Sequence, residues 1–124
     1  MTAIQEISFT ATFPVRHAVL REGKPIETCF FQGDDLATTV HFGLFLETKL
    51  AGVISLYRNT NHSFKDKNQY QIRGMAIVKP FQKHGFGKQL IMHAEKYAKE
   101  KKGSLIWFNA RENAVGFYKK LVMK

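Results

Sequence analysis

The residues best suited to chemistry stand between positions 82 and 88, directly before a segment with helical periodicity. They read Gln82-Lys83-His84-Gly85-Phe86-Gly87-Lys88. The first turn of a helix exposes unpaired backbone N–H groups and carries about half a positive charge. Glycines let a phosphate approach the backbone closely, and the cations in this segment add positive potential. The segment therefore predicts a site for a phosphorylated anion, for which a pyrophosphate is the best match.

Two other phosphate-binding motifs do not match this segment. It lacks the Gly-Lys-Ser/Thr ending of a P-loop, so nucleotide hydrolysis is not supported. It also lacks the three-glycine dinucleotide fingerprint and the acidic residue that accompanies it. On these residues alone, a glycine turn that only joins a strand to a helix is an equally good interpretation. The elements around the segment must decide between the two.

The flanking sequence predicts a strand–helix–strand unit over residues 70–110. Residues 70–78 are apolar on both faces, which is typical of a central strand. The next segment has an apolar stripe at the four-residue spacing of a helix, formed by Phe86, Leu90, Ala94 and Ala98. Residues 105–110 then predict another strand. Because a crossover helix joins parallel neighbours, these two strands should lie side by side.

The remaining sequence predicts a mixed order of strands and helices. Residues 4–10 alternate as a strand, and residues 14–22 form a short helix opened by a proline. Period-two alternation over residues 40–57, broken by a polar turn, predicts a β-hairpin. A last short helix is predicted over residues 113–121. The order β-α-β-β-β-α-β-α indicates an α/β fold, and 124 residues suit a single domain, 1–124.

Two motifs in this order resemble a known family. Gln82-x-x-Gly85-x-Gly87 is similar to the GNAT signature Gln/Arg-x-x-Gly-x-Gly/Ala, which follows the fourth strand and opens the helix that holds the acetyl-CoA pyrophosphate. Downstream, Asn113-Ala114-Val115-Gly116-Phe117-Tyr118 resembles the second part of that signature. The combination favours the pyrophosphate interpretation. It covers residues 70–121, and before them the resemblance is only topological.

The resemblance implies a fold, a cofactor and roles for residues at matching positions. The fold would be a mostly antiparallel central sheet, flanked by helices, with one parallel unit at 70–110. The cofactor would be acetyl-CoA, its pyrophosphate wrapped by residues 82–88. Ile77 and Val78 would offer backbone groups to the pantetheine arm, and Asn113 would hydrogen-bond that arm. Tyr118 would protonate the leaving thiolate, although a core aromatic is the alternative interpretation of this residue.

The implied reaction is the transfer of an acetyl group to an amine by direct attack. Strand-end N–H groups would stabilise the oxyanion, and no metal is expected. The amine must first lose a proton, and many relatives carry a Glu on or near the fourth strand for this step. This chain has Gln71 and Arg73 there instead. Other groups could substitute, none of which we assign: Glu27, Asp34, His41 and His62.

The charge balance leaves two further functions open. Nineteen Lys and Arg against ten Asp and Glu give a net charge of +9, which favours anionic partners. A nucleic-acid binder is permitted by this charge. Against it, the lysines of the central helix are interspersed with glutamates, and no aromatic-basic motif of an RNA-binding sheet is present. A non-catalytic acyl-CoA-binding module is the other alternative, because the usual acid on the fourth strand is missing.

The single cysteine and the N-terminal sequence predict a location. Cys29 cannot form an internal disulfide, which favours a reducing compartment. It stands in an apolar run, so we expect it to be buried rather than nucleophilic. The first residues do not resemble a signal peptide, and no apolar run approaches the roughly 20 residues of a membrane-spanning helix. We therefore expect a cytoplasmic protein with no membrane partner.

The sequence departs from the family pattern after Leu121. Relatives usually continue with two further strands, which cover the strand predicted at 105–110. Without them this strand would be a bare edge of the sheet, which favours aggregation. A homodimer that completes the sheet would solve this problem. A shortened protein with weakened activity is the alternative.

Overall fold

The fold is built on one mixed sheet with helices on its faces. In the residues that this computed structural model describes, 1–109 and 115–120, there are six strands and two α-helices. The strands are β1 (Thr2–Ile7), β2 (Val40–Leu46), β3 (Lys49–Tyr57), β4 (Gln69–Ile77), β5 (Leu105–Asn109) and β6 (Val115–Lys120). The helices are α1 (Phe13–Leu20) and α2 (Phe86–Glu100). Within these ranges, neither helix has the length and apolar character needed to cross a bilayer.

The strands lie in sequence order across the sheet, and their pairing confirms the predicted fold class. Every neighbouring pair is antiparallel except β4 and β5, which are parallel. Helix α2 makes the crossover between these two strands, as the sequence predicts. The hairpin of β2 and β3 is also confirmed. Strand β1 lies earlier than expected, because the chain leaves the sheet at Ile7 and turns into α1.

The two helices cover opposite faces of the sheet. Leu90 and Ala94 on α2 are fully buried in the cluster that contains Ile54 of β3. Val15 on α1 belongs to a second cluster with Val53, the neighbouring residue of the same strand. Since adjacent strand residues point to opposite faces, the helices must lie on opposite sides of β3. Because the helices cover the faces of the sheet, the exposed edges of its central strands are where a site can form.

The predicted last helix is wrong over residues 115–120, which form strand β6 antiparallel to β5. The physical reason is visible in the residue types. Gly116 weakens a helix, and its neighbours are β-branched or aromatic residues that favour strands: Val115, Phe117 and Tyr118. Pairing with β5 also satisfies backbone groups that a helix would leave open at the sheet edge.

Strand β6 removes the reason given above for a dimer. Strand β5 pairs with β4 on one side and with β6 on the other. The edge that was expected to be bare is therefore covered by the chain itself. A homodimer is not needed to complete the sheet next to β5.

Candidate active site

A cleft opens between β4 and β5 because the two strands pair only at one end. Their register covers Gln69 to Gln71 of β4 and ends there. No other described residue pairs with the rest of β4, residues 72–77, on that side. We call this side of residues 72–77 the open edge of β4. A strand with an open edge presents unpaired N–H and C=O groups to a ligand.

A β-bulge in β4 lies at the start of the open edge. The register with β3 passes from Val53↔Ala76 to Ser55↔Arg73, so two residues of β4 oppose one residue of β3. The two β4 residues at the bulge are Gly74 and Met75. Gly74 has a φ of +66°, a conformation that favours glycine. A bulge bends its strand and increases the local twist, which accounts for the divergence from β5.

The bulge is also packed tightly against α1 and the segment that follows it. A Cβ at Gly74 would lie 3.1 Å from Phe31 Cε2 and 3.2 Å from Arg16 Nε. The pattern of residues 70–78 predicted a strand without a bulge at this glycine. An isolated glycine within a strand pattern was the available signal of a bulge.

A cavity of about 560 Å³ lies at the bulge, a size that suits a small-molecule site. Its lining comes from α1, β4, α2, β5 and the segment after α1. The lining residues are Leu20, Arg21, Phe31, Gln71, Ile72, Arg73, Gly74, Met75, Ile91 and Phe108. Most of these side chains are apolar, and the described part of the lining has no Asp, Glu or His.

The end of β4 presents Ile77, but not Val78, to the cleft. Val78 N donates to Ala51 O, and Val78 O accepts from Phe81 N, both at 2.9 Å. The backbone groups of Val78 are thus used to extend the β3–β4 ladder and to start a turn. In an antiparallel ladder alternate residues point away from the partner strand, so the groups of Ile77 face the open edge. Its C=O accepts from Gln82 Nε2 at 2.9 Å.

The loop between β4 and α2 has the backbone of an anion site. The φ angle is −71° at Gln82, +68° at Lys83 and +81° at Gly85. Lys83 and Gly85 thus have positive φ angles, whereas Gln82, with a ψ of 156°, is extended. Gly85 is the N-cap of α2 and no side chain caps the helix, so the first N–H groups of α2 have no side-chain partner. Lys83, His84 and Lys88 are all exposed around this end.

The same helix end lies next to the cavity. A Cβ at Gly87 would be 3.8 Å from Met75 Cε, and Met75 lines the cavity. Phe86 packs against the core, and its ring centroid lies 5.8 Å from that of His84 in the loop. The structure therefore brings the 82–88 segment, the end of β4 and the cavity into one continuous surface.

Asp34, one of the possible bases, is held in a buried ion pair and does not line the cavity. Arg16 Nη1 lies 2.6 Å from Asp34 Oδ2, and both side chains are fully buried. Tyr57 Oη also donates to Asp34, and the Phe31 N–H donates to Oδ2 at 2.8 Å. Burial acts to raise the pKa of Asp34, but the hydrogen bonds from Arg16, Tyr57 and Phe31 outweigh it and the pKa is lowered. The Asp34 carboxylate therefore has a structural role and is not available as the catalytic base.

His41 belongs to the same buried network. Its Nδ1 lies 2.6 Å from Ser55 Oγ and its Nε2 lies 2.9 Å from Asp34 O. Burial lowers the pKa of His41, so the neutral ring is the stable form. Tyr57, beside it, has a pKa raised to about 12, first by burial and then by its hydrogen bond to Asp34. None of these groups lines the cavity.

The two other possible bases, Glu27 and His62, are exposed and do not line the cavity either. Cys29 is buried, as predicted, and its backbone oxygen accepts from Arg16 Nη1 at 2.7 Å. Burial raises the pKa of the Cys29 thiol, which disfavours a thiolate nucleophile.

The first two residues of the C-terminal motif, 113–114, lie outside the described residues, and the other four belong to β6. Asn113 lies outside the described residues. Tyr118 lies in β6, and its backbone pairs with Trp107 of β5, next to the cavity residue Phe108.

The family described as Acetyltransferase (GNAT) family matches residues 3–122. The chain belongs to the GNAT acetyltransferase family. It is therefore an acetyltransferase enzyme of the N-acetyltransferase type.

Individual relatives agree with this assignment. The uncharacterised N-acetyltransferase YitI of Bacillus subtilis is 31% identical over 124 residues, which cover 100% of this chain and 83% of the relative. The aminoglycoside N-acetyltransferase AAC(6')-Iy, solved in complex with CoA, superposes with a TM-score of 0.74 at 12% identity, covering 90% of this chain and 78% of that one. A ribosomal-protein-alanine N-acetyltransferase from Brucella melitensis has a TM-score of 0.67 at 15% identity, covering 90% and 82%. The two structural likenesses show the fold.

Proposed function

We propose that this GNAT domain moves the acetyl group of acetyl-CoA to an amine by direct attack, with both substrates bound together. The observation that carries the proposal is the continuous surface from the bulged, open edge of β4 to the uncapped N-terminus of α2. We propose that residues 1–124 act as one domain. Because the only cysteine is free and buried, we place the enzyme in a reducing compartment, the cytoplasm.

The residues present fit the cofactor that the family uses. The loop at 82–88 offers backbone N–H groups, with Lys83, His84 and Lys88 supplying positive charge for a pyrophosphate. The Ile77 N–H faces the open edge and would donate to the pantetheine arm, with Asn113 as its second partner. When bound, acetyl-CoA supplies a thioester whose carbonyl is open to attack.

The chain's own groups would then act on the reacting atoms. An N–H group of the β4 edge would donate to the carbonyl oxygen as negative charge develops there. Tyr118 would give its proton to the leaving thiolate, for which a weak acid is sufficient. Since the described lining of the cavity has no Asp, Glu or His, the proton of the amine would pass to water.

The test follows thiol release from acetyl-CoA with a panel of small amines. We expect Tyr118→Phe to lower kcat by about a hundredfold, with little change in the KM for acetyl-CoA. Tyr97→Phe is the matched control, because Tyr97 lies on α2 and packs against Phe42 in the core. An unchanged kcat in Tyr118→Phe would remove the acid role. Absence of thiol release with every amine would remove the proposed function.

A further inference from the structure

The charged side chains of the cavity are two arginines that share one aromatic ring. Arg21 Cζ lies 5.1 Å from the centroid of the Phe31 ring, and Arg73 Cζ lies 5.4 Å from it. Arg21 comes from the end of α1 and Arg73 from β4, so separate elements bring the two charges to one point. Both side chains are half-buried, and both line the cavity.

These arginines are fixed in place but keep most of their donors. Arg73 Nη1 donates to Gln32 O at 3.1 Å, and its Cζ lies 5.0 Å from the Tyr57 ring centroid. Arg21 Nη1 donates to Leu20 O at 3.0 Å. A guanidinium has five N–H donors in a rigid fork, so further donors remain for a ligand.

No carboxylate in the described part of the chain neutralises this pair. The ion pairs found there are Met1 with Glu47 and Arg16 with Asp34. Arg16 also lies against Phe31, at 4.1 Å, but its charge is balanced by Asp34. Within the described residues, Arg21 and Arg73 thus have no carboxylate partner, and their positive charges lie at the wall of the cavity, where burial strengthens their effect.

We propose that the acceptor is a small amine that also carries an anionic oxyacid group, a carboxylate or a phosphate, held by Arg21 and Arg73. Planar guanidinium groups bind such oxyacids through paired N–H donors. Amines with several positive charges are disfavoured, because they would meet like charge in the same place. This inference rests on the proposed function and names its substrate class.

The reaction leaves the oxyacid group unchanged. The amine nitrogen forms a bond to the acetyl carbon, and the C–S bond of the thioester breaks. The departing sulfur takes the electron pair and a proton, and the amine loses its proton to solvent. The arginines orient the acceptor through its anionic end, so their effect falls on acceptor binding.

The experiment measures kcat/KM for thiol release with matched acceptors. Each set contains an amino acid, its carboxamide, the amine without the carboxyl group, the corresponding aminoalkyl phosphate and a diamine of similar length. We expect the carboxylate or the phosphate member to exceed the carboxamide by at least about tenfold. The phosphate arm distinguishes the two oxyacid sources, and a preference for either supports the proposal.

Arginine variants test whether the preference for oxyacid acceptors depends on the cavity. Arg21→Gln should raise the acceptor KM about tenfold without changing the KM for acetyl-CoA, and Arg21→Glu should shift the preference toward diamines. Arg58→Gln removes an equal charge from an exposed arginine outside the cavity and should leave both constants unchanged. Circular dichroism spectra would show that each variant is folded.

The outcomes separate the two proposals. If carboxamides or diamines match or exceed the oxyacid acceptors, the acceptor class is wrong while the acetyltransfer function stands. The same conclusion follows if Arg21→Gln and Arg58→Gln behave alike. If no amine of any charge releases thiol, the proposed function itself fails.

Discussion

At the scale of single residues, the buried ion pair of Arg16 and Asp34 supports the cavity wall, because both residues contact Phe31. Breaking a fully buried pair leaves one charge without compensation. We expect Arg16→Met to lower the free energy of unfolding by about 3–5 kcal/mol, measured by urea denaturation. The double variant Arg16→Met/Asp34→Leu should recover a large part of this loss, because it leaves no unpaired charge. If the single and double variants are equally unstable, the ion pair is not the source of the effect.

The same network predicts how stability depends on pH. Burial lowers the pKa of His41 in the folded protein. Below the unfolded value of about 6.5 the unfolded chain therefore binds more protons than the folded one, and stability falls as the pH falls. Urea unfolding at neutral pH and at about pH 5.5 should show this loss, and His41→Gln should reduce it. His62→Gln, at an exposed position, serves as the control and should leave the pH dependence intact.

These residues also show what the sequence could not predict. Asp34 and His41 are residue types that can act as bases, and nothing in their order along the chain reveals their partners. The structure places them against Arg16 and Ser55, contacts that join positions 18 and 14 residues apart. A buried network of this kind depends on which elements meet, and its recognition requires the fold.

At the scale of elements, the bulge in β4 sets the shape of the cleft. Gly74→Ala places a Cβ against Phe31 in a backbone conformation that favours glycine. We expect a loss of about 1–3 kcal/mol in unfolding free energy and a clear fall in kcat/KM for acetyl transfer. Gly23→Ala is a matched control, since Gly23 has a φ of +78° with nothing within 4 Å of an added Cβ. Equal losses of activity in both variants would contradict a special role for the bulge.

Elements were predictable where their periodicity agreed with their place in the sheet. The apolar stripe of α2 and the runs of β4 and β5 were sufficient to predict the parallel crossover unit. The C-terminal segment failed because a motif, rather than periodicity, supplied the helix at 113–121. Over residues 115–120 the β-forming residue types and the open side of β5 favoured a strand instead.

At the scale of the whole molecule, the sequence contains a local pattern for the predicted cofactor site and none for the acceptor cavity. The 82–88 loop is one continuous segment with its own signature. The cavity combines residues from α1, β4, α2, β5 and the segment after α1, so no local pattern contains it. Arg21 and Phe31 are ten positions apart along the chain and meet only because α1 packs beside the bulge.

The measurement that tests the account most directly is isothermal titration of acetyl-CoA into the protein and two charge-reversal variants. Lys83→Glu/Lys88→Glu alters the predicted pyrophosphate site. Lys96→Glu/Lys99→Glu makes the same change in net charge at exposed positions farther along α2. We predict micromolar binding to the parent protein, loss of binding in the first variant and near-normal binding in the second. Equal losses in both variants, or no binding to the parent at millimolar ligand, would contradict the account.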